Sequence, residues 1–356
     1  MEIRKIRDHS IDYFKGLLVI GMIYTHVLQF FSDASIFPSI HFITQFFNLI
    51  TFSGFVLCFG YVNQLAYYSK SFSMSYKKML ITGLKTLIAF YVSGVAFQLY
   101  VGNLPLSTET IMPIILLKVI PGWSEFLVSF TLIIIIGLVL FPFFSWIANQ
   151  PIIIWGTSIL LLATTWIDYH QVSSPYLGLL IGTDRFPVFP VIQYLPYYLI
   201  GMYFARYQIR FKWKHFFIAT LGTCLFVYYL VVNGGALPGR FPPSVFWIMG
   251  PSFFLYVYYV MTKLLVKWGS GVGILRIMGE NVLFYLLISN IFIFSLANVL
   301  EMVIIGPWKG LLFTITLLII ITYFIKIITV KQIESSQSHL KKTYNQNVTS
   351  WTGNEL

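Results

Sequence analysis

The chain has 356 residues, 58% hydrophobic and only 10% charged, with 23 Lys and Arg against 12 Asp and Glu, for a formal net charge of +11. Soluble domains carry roughly 25% charged residues, so this chain lacks the charge to cover a water-facing surface. Its apolar residues fall in runs of about 20, the length of a membrane-spanning helix. The positive excess suggests nucleic acid only on a soluble protein; here it sits in the loops between apolar runs, as membrane topology dictates.

Ten apolar segments follow in chain order: 11–31, 40–66, 79–101, 123–147, 151–168, 187–205, 215–233, 244–262, 277–299 and 308–326. They predict an all-α, polytopic bundle of about ten transmembrane helices occupying residues 1–330. The first carries Asp12 and Lys15 at its start and no small-residue cleavage site after it, which predicts a retained helix rather than a removed signal peptide. Segment 111–120, "IMPIILLKVI", is too short to span and reads as re-entrant or interfacial. Cys58 and Cys224 stand alone inside apolar segments, as small packing residues rather than metal ligands. The stretch 331–356 turns polar and loses periodicity, which predicts a mobile tail.

With the N-terminus placed in the cytoplasm, all but four of the 23 basic residues fall on the inner side: Arg4, Lys5 and Arg7; Lys70, Lys77 and Lys78; Arg206, Arg210, Lys212 and Lys214; Lys263, Lys267 and Arg276; Lys326, Lys331, Lys341 and Lys342; and Lys15 and Lys85 at inner helix ends. The four outside are Lys118, Arg185, Arg240 and Lys309. That asymmetry predicts both termini in the cytoplasm. The sequon "NVTS" in the tail then faces the wrong side for glycosylation.

The stretch "SIDYFKGLLVIGMIYTHVLQFF" (10–31) writes a carboxylate, an ammonium and an imidazole into an apolar helix. Lys15 and His26 are eleven residues apart, about three turns plus 20°, so they share one face, with Asp12 beside Lys15. The rise between them is about 16 Å, roughly half the apolar thickness of a bilayer. Ionisable groups in a spanning helix are costly and usually face a cavity or a partner. Lys15 snorkelling to headgroups while paired with Asp12 accounts for those two equally well. His26 accounts for itself either as a neutral ring bonded to a neighbouring helix or as a proton-transfer group.

Lys15, the ten residues "GLLVIGMIYT" and His26 resemble the first-helix pattern of the transmembrane acyltransferase superfamily, which includes acyltransferase family 3 and heparan-α-glucosaminide N-acetyltransferase-like proteins. Further stretches are similar in the expected order: "FFNLITFSGFVLCFGY" (46–61), "DRFPVFPVIQYLPYYLIGMYFAR" (184–206), "GRFPPSVFWIMG" (239–250) and "IMGENVLFYLLISN" (277–290). Two positions depart from the pattern. The base is Lys where Arg is frequent, and a lysine lacks the bidentate fork. Ser289 and Asn290 stand where many relatives carry a late-helix His.

The resemblance implies a membrane-bound O- or N-acyltransferase of the bacterial cell membrane. It would take an acyl group, most often acetyl, from cytoplasmic acetyl-CoA or another acyl-CoA, and give it to a carbohydrate or glycolipid acceptor outside, with no metal and no nucleic acid as partner. Lys15 at the inner mouth would attract the CoA phosphates. His26 would act as base or transient acyl carrier.

Five more residues are candidates for substrate contact. Ser53, before Gly54, is read as lining a channel or as small-residue helix packing. Glu125 in "PGWSEFLVSF" is read as orienting His26 or an acceptor hydroxyl, or as compensating a helix dipole. Asp184 and Arg185 after "GLLIGT" suit acceptor hydroxyls or a solvated pair, and Arg240 suits an anionic acceptor or a headgroup anchor. The competing reading is a proton-coupled secondary transporter with His26 and Asp12 in a relay. The Pro-interrupted stretches 187–196 and 242–251 do not occupy matching places in two halves, as a transporter repeat would.

Overall fold

A computed structural model describes residues 8–268, 273–300 and 304–328. Arg4, Lys5, Arg7, Lys331, Lys341 and Lys342, and the polar stretch 331–356, lie outside the described residues.

The described chain is helical, and no strand is formed among the described residues. In order come α1 (His9–Phe31), α2 (Pro38–Asn63, continued by a π turn over Gln64–Tyr68), α3 (Phe72–Tyr100), α4 (Thr108–Ile115), α5 (Glu125–Val139), α6 (Phe141–Ile147), α7 (Pro151–Ala163), α8 (Pro175–Ile181), α9 (Val191–Arg206), α10 (Trp213–Val232), α11 (Val245–Met249), α12 (Ser252–Lys267), α13 (Gly273–Glu280), α14 (Val282–Val299) and α15 (Pro307–Ile328). Seven helices among the described residues are long and apolar enough to cross a membrane, and an eighth is added if α5 and α6 count as one span. The expected run 123–147 is bent by 87° between those two. Pro142 accounts for the bend: it lacks an N–H and its ring meets the carbonyl one turn back. The run 151–168 is shorter than a full span, with α7 closing in a 3-10 turn over Thr164–Trp166, and 277–299 is divided at Asn281. The short segment expected at 111–120 is the eight-residue α4.

α1 is the axis of the bundle. In its most apolar window 72% of residues are buried, against 17% for α10, so α1 meets protein on nearly every side while α10 shows most of its surface outward. Asp8 caps α1, its side chain accepting the Ser10 amide at 3.1 Å. α2, α12, α13 and α14 pack around α1, and α2 packs most extensively on α9. Small residues make those crossings close. A Cβ on Gly60 would lie 2.0 Å from the Tyr198 carbonyl, and one on Gly201 would lie 2.0 Å from that of Leu57. Without a side chain, the two backbones meet directly, the packing mode that membrane helices favour.

The bundle has two distinct ends. At the first, Asp8 accepts hydrogen bonds from Tyr61 and Lys263, and the Tyr259 hydroxyl donates to the Ile209 carbonyl at 2.6 Å. At the second, Ser32 donates to the Ile305 carbonyl and the Trp123 indole donates to Gln29. α1 runs from the first end to the second.

Candidate functional site

His26 sits about three turns beyond Lys15 on α1, and α14 decides its chemistry. Asn290 lies 3.0 Å from His26 Nδ1 through its side-chain oxygen. The Asn290 amide nitrogen donates to Ser93 Oγ and to the Trp123 carbonyl, both at 3.1 Å. A carbonyl only accepts, so the nitrogen must face Trp123 and the oxygen must face the ring. Nδ1 therefore carries the proton, and Nε2 keeps its lone pair.

That ring lines a cavity of about 230 Å³. α1 contributes Met22, Thr25, His26 and Gln29; α2 contributes Asn48, Thr51, Phe52 and Phe55; the approach to α5 gives Gly122, Trp123, Glu125 and Phe126; Pro187, Phe189, Arg240 and Phe241 close the side. Gln29 and Pro187 are exposed, so the cavity reaches the surface at the second end.

Trp123 holds that wall in an unusual backbone state, with φ of +58°. The left-handed region costs a non-glycine residue about 1–2 kcal/mol. Three contacts offset the cost: its carbonyl accepts from Asn290, its indole donates to Gln29 at 3.0 Å, and its ring stacks on Phe97 at 5.4 Å.

Glu125 opens α5, and the backbone amides of Trp123, Ser124 and Glu125 stand next to its carboxylate, as a helix N-terminus favours. Its Oε2 is buried and has no hydrogen-bond partner among the described residues. Arg240 comes from the loop before α11. Its guanidinium lies over the rings of Phe241, Phe189 and Trp247 at 4.6, 5.4 and 5.9 Å. Burial pulls the Arg240 pKa below its ordinary value, and the charge of Glu125 opposes that shift. Its Nε is also buried without a partner among the described residues, as is Thr25 Oγ1. Buried polar atoms are nearly always satisfied, and three unsatisfied ones belong to residues of this one cavity wall.

A scan of protein-family models, a search of curated proteins and a search of solved structures each find no match to the chain.

Of the residues singled out from the sequence, His26, Glu125 and Arg240 meet at this cavity. The others lie elsewhere. Lys15 pairs with buried Asp12 at 2.9 Å near the first end. The deepest α1 residue of the cavity wall is Met22, and Leu18 and Val19, which are 1% and 0% exposed, fill the helix between it and Lys15. Ser53 is buried but outside the lining, while a Cβ on its neighbour Gly54 would press on Leu18 at 2.8 Å. These two positions therefore serve the packing of α2 on α1. Asp184 and Arg185 are exposed, and Asp184 pairs with His170. His9, Asp12 and Glu280 bring ligand-type atoms within 4.8 Å of one another. The Lys15 ammonium already supplies positive charge to Asp12 there.

Asn290, Trp123, Gln29 and Thr25 were not singled out as site residues by sequence reasoning. Two signals existed: an amide in the apolar run "LLISNIFIF", and Gln29 three residues after His26 on the same helix face.

Proposed function

We propose that the protein is an integral membrane acyltransferase that moves an acyl group, acetyl as the first expectation, from acyl-CoA to a hydroxyl or amine of a carbohydrate or glycolipid acceptor. The reading includes a span count near ten, with both termini in the cytoplasm of a bacterial cell. It is supported by one observation above all: His26 is fixed with its proton on Nδ1, and its ring lines a mainly apolar cavity that also holds Glu125 and Arg240 and reaches the second end.

The chemistry is a base-assisted acyl transfer. As the acceptor oxygen or nitrogen forms its bond to the thioester carbonyl carbon, His26 Nε2 takes the acceptor's proton. Asn290 accepts from Nδ1–H and steadies the imidazolium that forms. The carbon–sulfur bond then breaks, and the proton passes from Nε2 to the departing thiolate. Arg240 lends positive charge to the cavity wall, where a developing oxyanion gains from it. Glu125 Oε2 is free to accept from an acceptor hydroxyl and orient it. The fit of the donor rests on the Lys15 cation at the other end of α1, about 16 Å from the ring. Delivery of the thioester then requires the side chains between Lys15 and Met22 to part.

The same packed layer separates Asp12 from His26, so the transporter reading lacks a continuous relay through the described residues. The deciding assay uses labelled acetyl-CoA and purified protein with a panel of sugar acceptors. Transfer by the wild type and its loss in His26→Ala support the reading; equal transfer by both proteins removes the ring from the chemistry.

A further inference from the structure

A second cavity, of about 320 Å³, lies away from the His26 site. α7 packs on α9 and α10 packs on α12, leaving a crevice walled by Trp155, Leu162, Ile200 and Ala219. Ile159 and Ile218 of its lining are exposed, as is Leu221 nearby on α10. In a membrane-spanning bundle such a crevice borders the acyl chains of the bilayer.

Most of its polar groups are already satisfied by their own surroundings. Ser158 donates to the Ile154 carbonyl, Ser252 to that of Met249, and Tyr197 to that of Ile248. His215 differs. It is 6% exposed, its ring stacks near Trp155, and its Nδ1 is buried with no hydrogen-bond partner among the described residues. A buried polar atom left open at one end of an otherwise satisfied apolar crevice points to a ligand with a polar end.

The surroundings of that end carry the sign of the charge. His215 lies in the first turn of α10, just after the loop from α9. Arg206, Arg210, Lys212 and Lys214 are all exposed there, together with Tyr207, Phe211 and Trp213. No Asp or Glu occurs in the sequence between Asp184 and Glu280. Cations and amphipathic rings beside an apolar slot match the order of a phospholipid: tail, ester level, phosphate.

We propose that the crevice between α7 and α10 binds one acyl chain of an anionic diacyl phospholipid, with His215 at the ester level and the 206–214 cations on the phosphate. This site is independent of acyl transfer at His26.

Trp155 in the wall reports occupancy, because bromine on an acyl chain quenches a nearby indole. The protein is reconstituted in phosphatidylcholine vesicles containing graded, matched minor fractions of either tail-brominated phosphatidylglycerol or tail-brominated phosphatidylcholine. Subtracting the signal of Trp155→Phe isolates the indole of interest. Brominated phosphatidylglycerol should quench it at about tenfold lower content than brominated phosphatidylcholine. The pair Arg210→Gln and Lys214→Gln should remove that preference while leaving quenching itself. Ala219→Phe, which fills the crevice, should abolish quenching by both, with helix content by circular dichroism unchanged. Should Ala219→Phe fail to fold, the surface pair still decides. Equal quenching by the two lipids overturns the proposal, as does a preference that survives the charge removal. Displacement of the brominated lipid by a polyprenyl phosphate but not by unlabelled phosphatidylglycerol overturns it too, and assigns the crevice to a lipid-linked acceptor.

Discussion

The two ends of α1 both bury ionisable groups, yet they differ in how those groups are satisfied. At the first end Asp8 accepts from Ser10, Tyr61 and Lys263, Asp12 pairs with Lys15, and His9 Nδ1, which makes no hydrogen bond among the described residues, still lies 3.7 Å from the Asp12 carboxylate. At the second end Glu125, Arg240 and Thr25 line a cavity, and Glu125 Oε2, Arg240 Nε and Thr25 Oγ1 are buried without partners among the described residues. Closed polar networks hold helices together; open ones cost stability and persist where they serve a ligand. The contrast separates a stretch of α1 whose ionisable side chains are paired from one beside polar atoms without partners among the described residues, which residue type alone does not do.

The sharpest way to break the contrast is His26→Ala, where acyl transfer should fall by about 10²-fold or more with the fold intact, measured as labelled product per enzyme. Next comes Asn290→Leu. Asn290 is a positioning residue, so kcat should drop about tenfold with KM for acyl-CoA little changed, because the ring loses its fixed tautomer. A parallel rise in KM would instead mean a disturbed cavity wall. Lys15→Ala should weaken acyl-CoA binding by roughly threefold to tenfold while kcat stays near the wild-type value; unchanged affinity by calorimetry would assign Lys15 to headgroup anchoring and Asp12 pairing alone.

At the closed end, Asp8→Asn should leave kcat almost unchanged and lower unfolding stability by about 1–3 kcal/mol, read in a thermal or denaturant titration in detergent. The pH dependence sharpens the point. Burial pushes the Asp8 carboxyl up, but hydrogen bonds from Lys263, Ser10 and Tyr61 outweigh it and hold the pKa below the ordinary aspartate value. The stabilisation is therefore present above the ordinary value and is lost as pH falls through the lowered one. Asp8→Asn should flatten that acidic loss.

Composition and apolar periodicity made the helical membrane architecture legible, because about 20 apolar residues in a row have few other fates. The break at Pro142 was written in the sequence too, but hydropathy averages over such a residue and the run read as continuous. His26 stood out because an imidazole is conspicuous in an apolar helix. Asn290 stood out only as a departure from the resembled pattern, since its role as a ring partner comes from residues 264, 197 and 167 positions away in the chain. The separation of Asp184 and Arg185 from the cavity was equally hidden: Pro187 and Phe189, two and four residues on from Arg185, reach the wall, and only the folded loop tells which side chain turns inward.

The central position of α1 has a consequence for biogenesis. α1, which precedes the other described helices in the chain, holds buried Asp12 and His26, and neither has its full environment until α13 and α14 exist. Asp12 meets α13 through its backbone, where a Cβ on Gly279 would lie 1.8 Å from its carbonyl oxygen, and His26 waits for Asn290. A nascent chain halted before residue 273 would offer those polar groups to hydrocarbon. Assembly must therefore shelter α1 until α13 and α14 have been inserted beside it.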